Sequence, residues 1–303
     1  MKKTTLFFKL MGCAFGLCFW FSAQAADEQK LSPYFDISAT LSGSEKEIIP
    51  LITDKLIQKK FNILGTYSPM QDSQLTVIVF SRPDIIETLT PLGNRSLLAA
   101  ALKIGIQFQG GKARVSMLNP QYIYNAYLGD KYDKVSSTLS GVTTDLKSLF
   151  IGEWKTFGGE VEQNKLRTYY YMFPAATQTF NKPIEYKKFE SFEKGLEKIK
   201  KNLAEQKNGL KEVYSIEVNS KKIAVFGVGL LNKEKGESSF LKTIGVDHLA
   251  ALPYEIILVD NQASILHGKY RIAAFWPSLS MGQFMKISFT PGHIESLMES
   301  LCD

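Results

Sequence analysis

The residues with the clearest chemical potential lie in the last third of the sequence, which holds all three of its histidines, His248, His267 and His293. Histidine beside carboxylates is the composition of a general base with its orienting acid, or of a divalent metal site. The candidate ligand-binding residues are Asp247, His248, Tyr254, Glu255, His267 and Arg271. If the fold brings them together, we expect them to line a cleft for a small ligand.

The spacing of these residues favours binding over catalysis. The sequence contains no H-x₃₋₅-H, C-x-x-C, H-E-x-x-H or G-x-S-x-G motif, the local signatures of metal sites and of a serine nucleophile. In the competing structural interpretation, His248 caps a short helix, His267 lies in a turn and Glu255 pairs with Arg271. We therefore assign no catalytic residue and no metal ligand, and any cofactor stays unknown.

The elements that must position these residues occur twice along the chain. Each copy opens with a helix after a serine, Ser44 or Ser191, a residue type that caps helices. The later elements also correspond: strands at 75–80 and 223–228, short helices at 98–100 and 249–251, and strands at 104–108 and 255–259. The repeated order of helix, strand, strand, helix, strand, strand predicts an α+β fold of two similar domains, an internal duplication packed as a pseudo-dimer.

The duplication sets the expected domain boundaries. We expect a signal peptide at 1–25, a first α+β domain at 26–150, an aromatic connecting segment at 151–188 and a second α+β domain at 189–303. The aromatic run at 166–173 is expected to add an edge strand or to pack between the domains. The last strand of each domain is expected to end near Pro120 or Pro277, which makes the second hairpin the longer one and places His267 in it.

The first residues of the chain have the pattern of a secretory leader. Lys2, Lys3 and Lys9 precede an apolar run at 10–21, and an A-x-A cleavage site follows at 23–25. The apolar run is shorter than the ~20 residues of a membrane-spanning helix. This pattern predicts a periplasmic protein that is soluble and has no integral membrane segment after cleavage. The alternative, a lipoprotein box that leaves a lipidated Cys13, stays open.

Removal of the leader changes the charge and the cysteine count. The formal net charge of the whole chain is +6, and loss of three lysines leaves 33 basic and 30 acidic residues, a net charge of +3. This balance does not indicate nucleic acid as a partner, whereas a small molecule or an envelope protein is compatible with it. Cys302 becomes the single thiol, which excludes an intramolecular disulfide, and its position predicts a frayed tail residue without a role.

Several motifs of the second domain resemble those of the family catalogued as domain of unknown function 302. They are HLAALPYE at 248–255, LHGKYRIA at 266–273, FWPSLSMG at 275–282, FMKI at 284–287 and PGHIE at 291–295; residues 119–122, 125–127, 166–172 and 189–192 fit too. The resemblance covers about residues 40 to 300. It implies a compact α+β domain, often dimeric or duplicated, and no established reaction. The family often has a histidine where this chain has Tyr170, so any role of that histidine is absent or altered here.

Together these features predict an exported protein that acts as a small-ligand-binding or interaction module in the periplasm. One alternative is a hydrolase or lyase that uses His248 or His267 as a base in the second domain. Another is a structural protein that binds an envelope partner through aromatic faces, for which the candidates are Tyr122, Tyr124 and Tyr127 and the run Tyr169, Tyr170 and Tyr171. A homodimer is also left open.

Overall fold

The computed structural model describes residues 29–93, 95–168 and 178–303, which form a mixed α+β fold around antiparallel sheets. The α+β class predicted from the sequence is confirmed. The expected signal peptide at 1–25 and most of the aromatic run at 166–173, including Tyr170, lie outside the described residues. None of the described helices has the length and apolar character needed to cross a membrane.

Short strands make up three sheets. The strands are β1 (Lys30–Leu31), β2 (Tyr34–Asp36), β3 (Asn62–Tyr67), β4 (Leu75–Ser81), β5 (Leu102–Gln109), β6 (Lys112–Leu118), β7 (Lys155–Phe157), β8 (Val161–Glu162), β9 (Ile184–Lys188), β10 (Leu210–Val218), β11 (Ile223–Leu230), β12 (Tyr254–Val259) and β13 (Gln262–Ile265).

Helices connect and cover these strands. They are α1 (Glu45–Gln58), α2 (Pro83–Leu89), α3 (Pro120–Leu128), α4 (Ser136–Leu149), α5 (Gln163–Arg167), α6 (Phe192–Ala204), α7 (Leu241–Ile244), α8 (Gly268–Phe275), α9 (Met281–Lys286) and α10 (Thr290–Glu299). The two short helices expected at 98–100 and 249–251 belong to 3₁₀ helices, Ser96–Ala99 and Val246–Ala251.

The two larger sheets have corresponding strand orders. The first is β3-β4-β5-β6-β2-β7 and the second is β10-β11-β12-β13-β9, and neighbouring strands are antiparallel in both. The outermost strands β7 and β9 come from the connecting segment 151–188. β4 and β11 are buried along their whole length, as expected for continuous apolar strands that are covered on both faces.

The sheets meet closely where their edge strands β3 and β10 approach one another. A Cβ atom on Gly65 would overlap the backbone carbonyl of Val213. Only glycine therefore permits this approach of the two backbones. The contact brings the first and second sheets into one continuous hydrophobic core.

The predicted last strand of the second domain is wrong beyond Ile265. The chain turns there into α8, whose N-cap is His267, and the Nδ1 atom of this ring accepts a hydrogen bond from the Lys269 amide at 3.2 Å. α3 of the first domain begins in the same way, since Asn119 accepts from the Gln121 amide at 3.1 Å. A short apolar run such as 272–275 fits a strand and a buried helix equally well, and for that reason the hairpin was expected to be longer.

Helices α3 and α8 exchange hydrogen bonds across the core. The Tyr122 hydroxyl donates to the Ala274 carbonyl at 2.7 Å, and the Tyr270 hydroxyl donates to the Ala126 carbonyl at 3.2 Å. Each donor is the third residue after its N-cap, and each acceptor is the seventh. The contact is therefore reciprocal.

The expectation of a frayed tail at Cys302 is wrong. Cys302 is 1% exposed and lies in the 3₁₀ helix Ser300–Cys302. The Asn202 side chain on α6 donates to the carbonyls of Leu301 and Asp303, at 2.9 and 3.1 Å. These bonds hold the end of the chain against the second domain.

Candidate functional site

The six residues predicted from the sequence fall into three separate groups of contacts. Tyr254, Glu255 and Arg271 lie together in the interior. Asp247 and His248 pair with each other, and His267 lies beside Glu295. Within the described residues, no hydrogen bond or ion pair links these three groups.

The interior group is built around Arg271 on α8. Its Nη2 atom lies 2.9 Å from Glu255 Oε2 and 2.8 Å from the carbonyls of Ala251 and Pro253. The pairing of Glu255 with Arg271 is thus the one that the structural interpretation of the sequence expected. The ion pair connects α8 to β12.

The guanidinium group of Arg271 lies against two aromatic rings. Its Cζ atom is 4.1 Å from the centroid of the Phe275 ring and 4.6 Å from that of Tyr254. Such contacts stabilise a cation electrostatically when it is removed from water. The rings also fix the orientation of the guanidinium plane.

A second cation, Lys103, reaches Glu255 from the first sheet. Its Nζ atom contacts Glu255 Oε1 and lies 3.3 Å from the Pro253 carbonyl. The side chains of Lys103 and Arg271 are 2% exposed and that of Glu255 is 3% exposed. Two buried cations therefore share one carboxylate.

Lys103 is absent from the residues predicted from the sequence. Its sequence signal is a lysine near the start of a mainly apolar strand, between Leu102 and Ile104. A lysine is almost never fully buried unless it is paired, but its partner lies 152 positions away in the sequence. Local pattern analysis does not reveal such a partner.

The protonation states of the cluster follow from burial and from the neighbouring charges. Burial lowers the pKa of Lys103 to about 8, even though Glu255 opposes this shift. Burial also acts to lower the pKa of Arg271, but the Glu255 carboxylate and the neighbouring Tyr127, Tyr254 and Tyr34 together outweigh it and hold that pKa above its ordinary value. At pH 7 both cations are charged, so the group has one positive charge more than Glu255 neutralises.

Tyrosines surround this excess charge with hydroxyl groups that lack partners. Tyr127, Tyr214 and Tyr254 are each at most 4% exposed, and all three interact electrostatically with Arg271. Their hydroxyls, and the Nε and Nη1 atoms of Arg271, have no hydrogen-bond partner in the described part of the chain. An unpartnered buried polar group costs about 1–3 kcal/mol, and a charged one more. We call this group, with Lys103 and Glu255, the arginine cluster.

Gly227 allows Tyr214 to take its place in the arginine cluster. Gly227 pairs with Glu255 in the β11–β12 ladder, and a Cβ atom on it would overlap the Tyr214 ring. The β10–β11 ladder has an irregularity between Glu212 and Tyr214, which re-aims the side chain as β-bulges do. The ring of Tyr214 thereby lies over the backbone of β11, next to Glu255.

Asp247 and His248 form a carboxylate–imidazole pair close to the first domain. Asp247 Oδ1 lies 2.8 Å from His248 Nδ1, and Asp247 Oδ2 lies 3.2 Å from Arg114 Nη1. Burial acts to raise the pKa of Asp247, but the hydrogen bond and charge of His248, together with the charge of Arg114, lower it below its ordinary value. The carboxylate is therefore ionised and orients the imidazole ring.

The other side of the His248 ring is enclosed by aromatic side chains. Ring centroids of Tyr34, Phe157 and Trp276 lie 5.2, 5.5 and 6.4 Å from the imidazole. His248 Nε2 is buried and has no partner in residues 29–93, 95–168 and 178–303. A general base must lie within hydrogen-bond reach of its substrate, and this enclosure leaves no room for direct solvent access to Nε2.

His267 has a local role at the start of α8. Its Nδ1 atom, which accepts from the Lys269 amide, lies 3.3 Å from Glu295 Oε1, and that carboxylate oxygen accepts from the Gly268 amide at 3.1 Å. Burial lowers the pKa of His267 despite the charge of Glu295. The ring is therefore neutral at pH 7 and serves as a helix cap. Among the described residues, no group of three or more His, Cys, Asp or Glu side chains has the arrangement of a metal site.

Comparison with known proteins gave no significant match: no family model matches the chain, no curated protein is similar to it in sequence, and no solved structure is similar to it in fold.

Proposed function

We propose that this chain is an exported, periplasmic small-ligand-binding protein and that its ligand is a small anion held in the arginine cluster. The observation that carries this proposal is the pair of buried cations, Lys103 and Arg271, sharing the single carboxylate of Glu255. Removing a charge from water without a counter-charge costs several kcal/mol. An anion in contact with the cluster offsets that cost.

The chemistry of the unpartnered groups favours an oxyanion. The guanidinium of Arg271 provides N–H donors suited to carboxylate and phosphate oxygens, and the hydroxyls of Tyr127, Tyr214 and Tyr254 can donate to the same oxygens. The anion must be small because all these side chains lie in the interior. Acetate, formate and inorganic phosphate represent the ligand class.

We also propose that the two domains are copies of one ancestral unit packed as a pseudo-dimer, as the resemblance to domain of unknown function 302 implies. The matching strand orders support this. The reciprocal bonds of Tyr122 and Tyr270 support it too, because a two-fold interface makes each contact twice.

The registers of the two larger sheets also support this proposal, because Lys103 and Glu255 lie at corresponding positions in them. In each of these sheets, three residues on neighbouring strands pair with one another directly after the irregularity between the first two strands. They are Gly65, Val79 and Lys103 in the first sheet, and Tyr214, Gly227 and Glu255 in the second. Equivalent residues that touch lie on the pseudo-two-fold axis. Two identical units would bring like charges together there, so the opposite charges favour pairing of the two different units.

An acid–base enzyme centred on His248 has less support, because the aromatic rings enclose the free nitrogen of that residue. The test of anion binding uses the chain without residues 1–25. Its melting temperature is measured against acetate, formate, phosphate and chloride at constant ionic strength. We expect at least one oxyanion to raise the melting temperature in a saturable manner, and chloride to have a smaller effect.

A matched pair of variants locates the effect. Tyr254→Phe removes one unpartnered hydroxyl of the cluster, and Tyr186→Phe removes a hydroxyl that donates to the Glu295 carbonyl outside it. We expect Tyr254→Phe to weaken the anion response and Tyr186→Phe to leave it unchanged. Equal responses in both variants, or none in the unmodified chain, contradict the proposal.

A further inference from the structure

A pocket of about 680 Å³ lies at the C-terminal end of α3, on the outer side of Tyr127. Among the described residues, four parts of the chain line it: the segment with Arg95, the end of α3, the end of α5 and the segment with Phe180. Its volume is within the usual range for sites that hold small organic ligands. We call it the α3 pocket.

Arg95 is the lining residue with a free binding group. Its Nε atom is buried and has no hydrogen-bond partner in the described residues, and no carboxylate of those residues lies within ion-pair distance of its guanidinium. Burial lowers the pKa of Arg95, and the more distant charge of Glu185 opposes this shift. Arginine nevertheless stays protonated at neutral pH, so an unpaired cation faces the pocket.

The other basic residues of the lining are already engaged. Arg167 donates to Asn125 Oδ1 at 2.9 Å and to both carboxylate oxygens of Asp133, at 2.9 and 2.7 Å. Lys131 donates to the Leu92 carbonyl at 2.7 Å. Arg95 is therefore the group available to a ligand, and the lining has more positive than negative charge.

Aromatic surface lies beside this cation. The Phe180 ring stacks on that of Tyr127 with a centroid distance of 4.8 Å and an interplanar angle of 30°. The Arg95 guanidinium carbon is 5.9 Å from the Phe180 centroid, and Phe180 is only partly buried. A flat apolar group can stack on this ring while an attached anionic group reaches Arg95.

We propose that the α3 pocket binds a small aromatic carboxylate, with its carboxylate on Arg95 and its ring on Phe180. This site goes beyond the anion site of the arginine cluster. The two sites differ in the cation that they use, and only the α3 pocket has room for an aromatic body. Tyr127 lies between them, with its ring on the pocket side.

The probe is benzoate, titrated calorimetrically into the chain without residues 1–25, with acetate and benzyl alcohol as probes that each lack one half of the recognised chemistry. We expect benzoate to bind at least about fivefold more tightly than either, because a charge-assisted hydrogen bond and a stacked ring each contribute about 1 kcal/mol or more. Equal affinities for benzoate and benzyl alcohol, or no benzoate binding, overturn the proposal.

Variants separate this site from the arginine cluster. Arg95→Gln is expected to weaken benzoate binding about tenfold, whereas Arg114→Gln, which alters a half-exposed arginine paired with Asp36 and Asp247, leaves it unchanged. Tyr254→Phe is expected to leave benzoate binding intact while it weakens the oxyanion response. If Arg95→Gln binds benzoate with unchanged affinity, benzoate binding in the α3 pocket is contradicted, while the anion site of the arginine cluster is not. If the unmodified chain shows no oxyanion response but binds benzoate, the anion site is contradicted, while the α3 pocket is not.

Discussion

Glu255 is the residue on which the interior charges depend, because both Lys103 and Arg271 contact its carboxylate. Loss of either cation leaves a balanced pair. Loss of the carboxylate leaves two buried cations without a counter-charge. Substitution of Glu255 is therefore expected to lower the free energy of unfolding more than substitution of Lys103 or of Arg271.

We predict that Glu255→Gln lowers the free energy of unfolding by about 3–5 kcal/mol, the usual cost of an uncompensated buried charge. Lys103→Met is expected to cost much less, since the Glu255–Arg271 pair persists. Urea unfolding at pH 7 measures both. Acetate or formate is also expected to restore part of the stability of Glu255→Gln. Equal losses of unfolding free energy in Glu255→Gln and Lys103→Met contradict the explanation that one carboxylate compensates both cations.

Lys103 also makes stability depend on pH. Its pKa is about 8 in the folded chain against 10.5 in the unfolded one, so the unfolded state binds more protons between these values. The free energy of unfolding therefore rises with pH in this window, by up to about 1 kcal/mol per pH unit, and the cost of burying the charge is present in full below pH 8.

The comparison of the chain with Lys103→Met between pH 7 and 9.5 tests this slope, because the tyrosines of the unfolded chain titrate equally in both proteins. The unmodified chain is expected to gain stability relative to the variant as pH rises. Parallel curves for the two proteins show that Lys103 is not the titrating group.

Elements with local signals were predictable, and those defined by distant contacts were not. The helix cap at Ser44, whose amide donates to Glu47 Oε2 at 2.7 Å, could be predicted from four consecutive residues. α8 was missed because its cap is His267, an uncommon capping residue, and because its apolar run also fits a strand. In the same way, the sequence predicted the pairing of Glu255 with Arg271, which are close in the sequence. It did not predict the contact of Lys103 with Glu255, because that contact depends on how the two sheets pack.

Strand β11 offers a test of how an element positions the arginine cluster. Gly227→Ala is expected to lower the free energy of unfolding by about 1–3 kcal/mol, because the added methyl overlaps the Tyr214 ring. Tyr214→Ala in the same chain is expected to remove most of this penalty. A double-mutant cycle by urea unfolding measures the coupling.

Gly282→Ala is the matched control, since a Cβ atom there has open space around it and the residue lies in α9. That substitution is expected to be neutral or slightly stabilising. Additive effects of Gly227→Ala and Tyr214→Ala contradict the steric explanation.

The two larger sheets share one hydrophobic core, and the described part of the chain should therefore unfold as one unit. The Tyr34 hydroxyl donates to the Phe275 carbonyl at 2.8 Å, and the buried carboxylate of Glu237 accepts from the Tyr67 hydroxyl at 2.9 Å. Each bond joins the first sheet region to the second domain. A chain of two loosely tethered domains has no reason for such contacts.

Tryptophan fluorescence tests this cooperativity. Trp154 lies near the first sheet and Trp276 follows α8, and the remaining tryptophan, Trp20, lies in the expected leader. In Trp154→Phe and Trp276→Phe variants, the remaining indole is expected to report the same transition as circular dichroism of that variant. Separate transitions within one variant show that the domains unfold independently.

Anomalous diffraction from crystals of the chain without residues 1–25 tests the anion site most directly, with the crystals soaked in bromide at a concentration high enough for this detectable halide to fill the site although it binds less tightly than an oxyanion. We predict a bromide peak within hydrogen-bond distance of Arg271 Nε or Nη1 and of at least one hydroxyl among Tyr127, Tyr214 and Tyr254. The peak is expected to disappear in Arg271→Met crystals. Bromide peaks confined to the protein surface, with none in the arginine cluster, contradict the account.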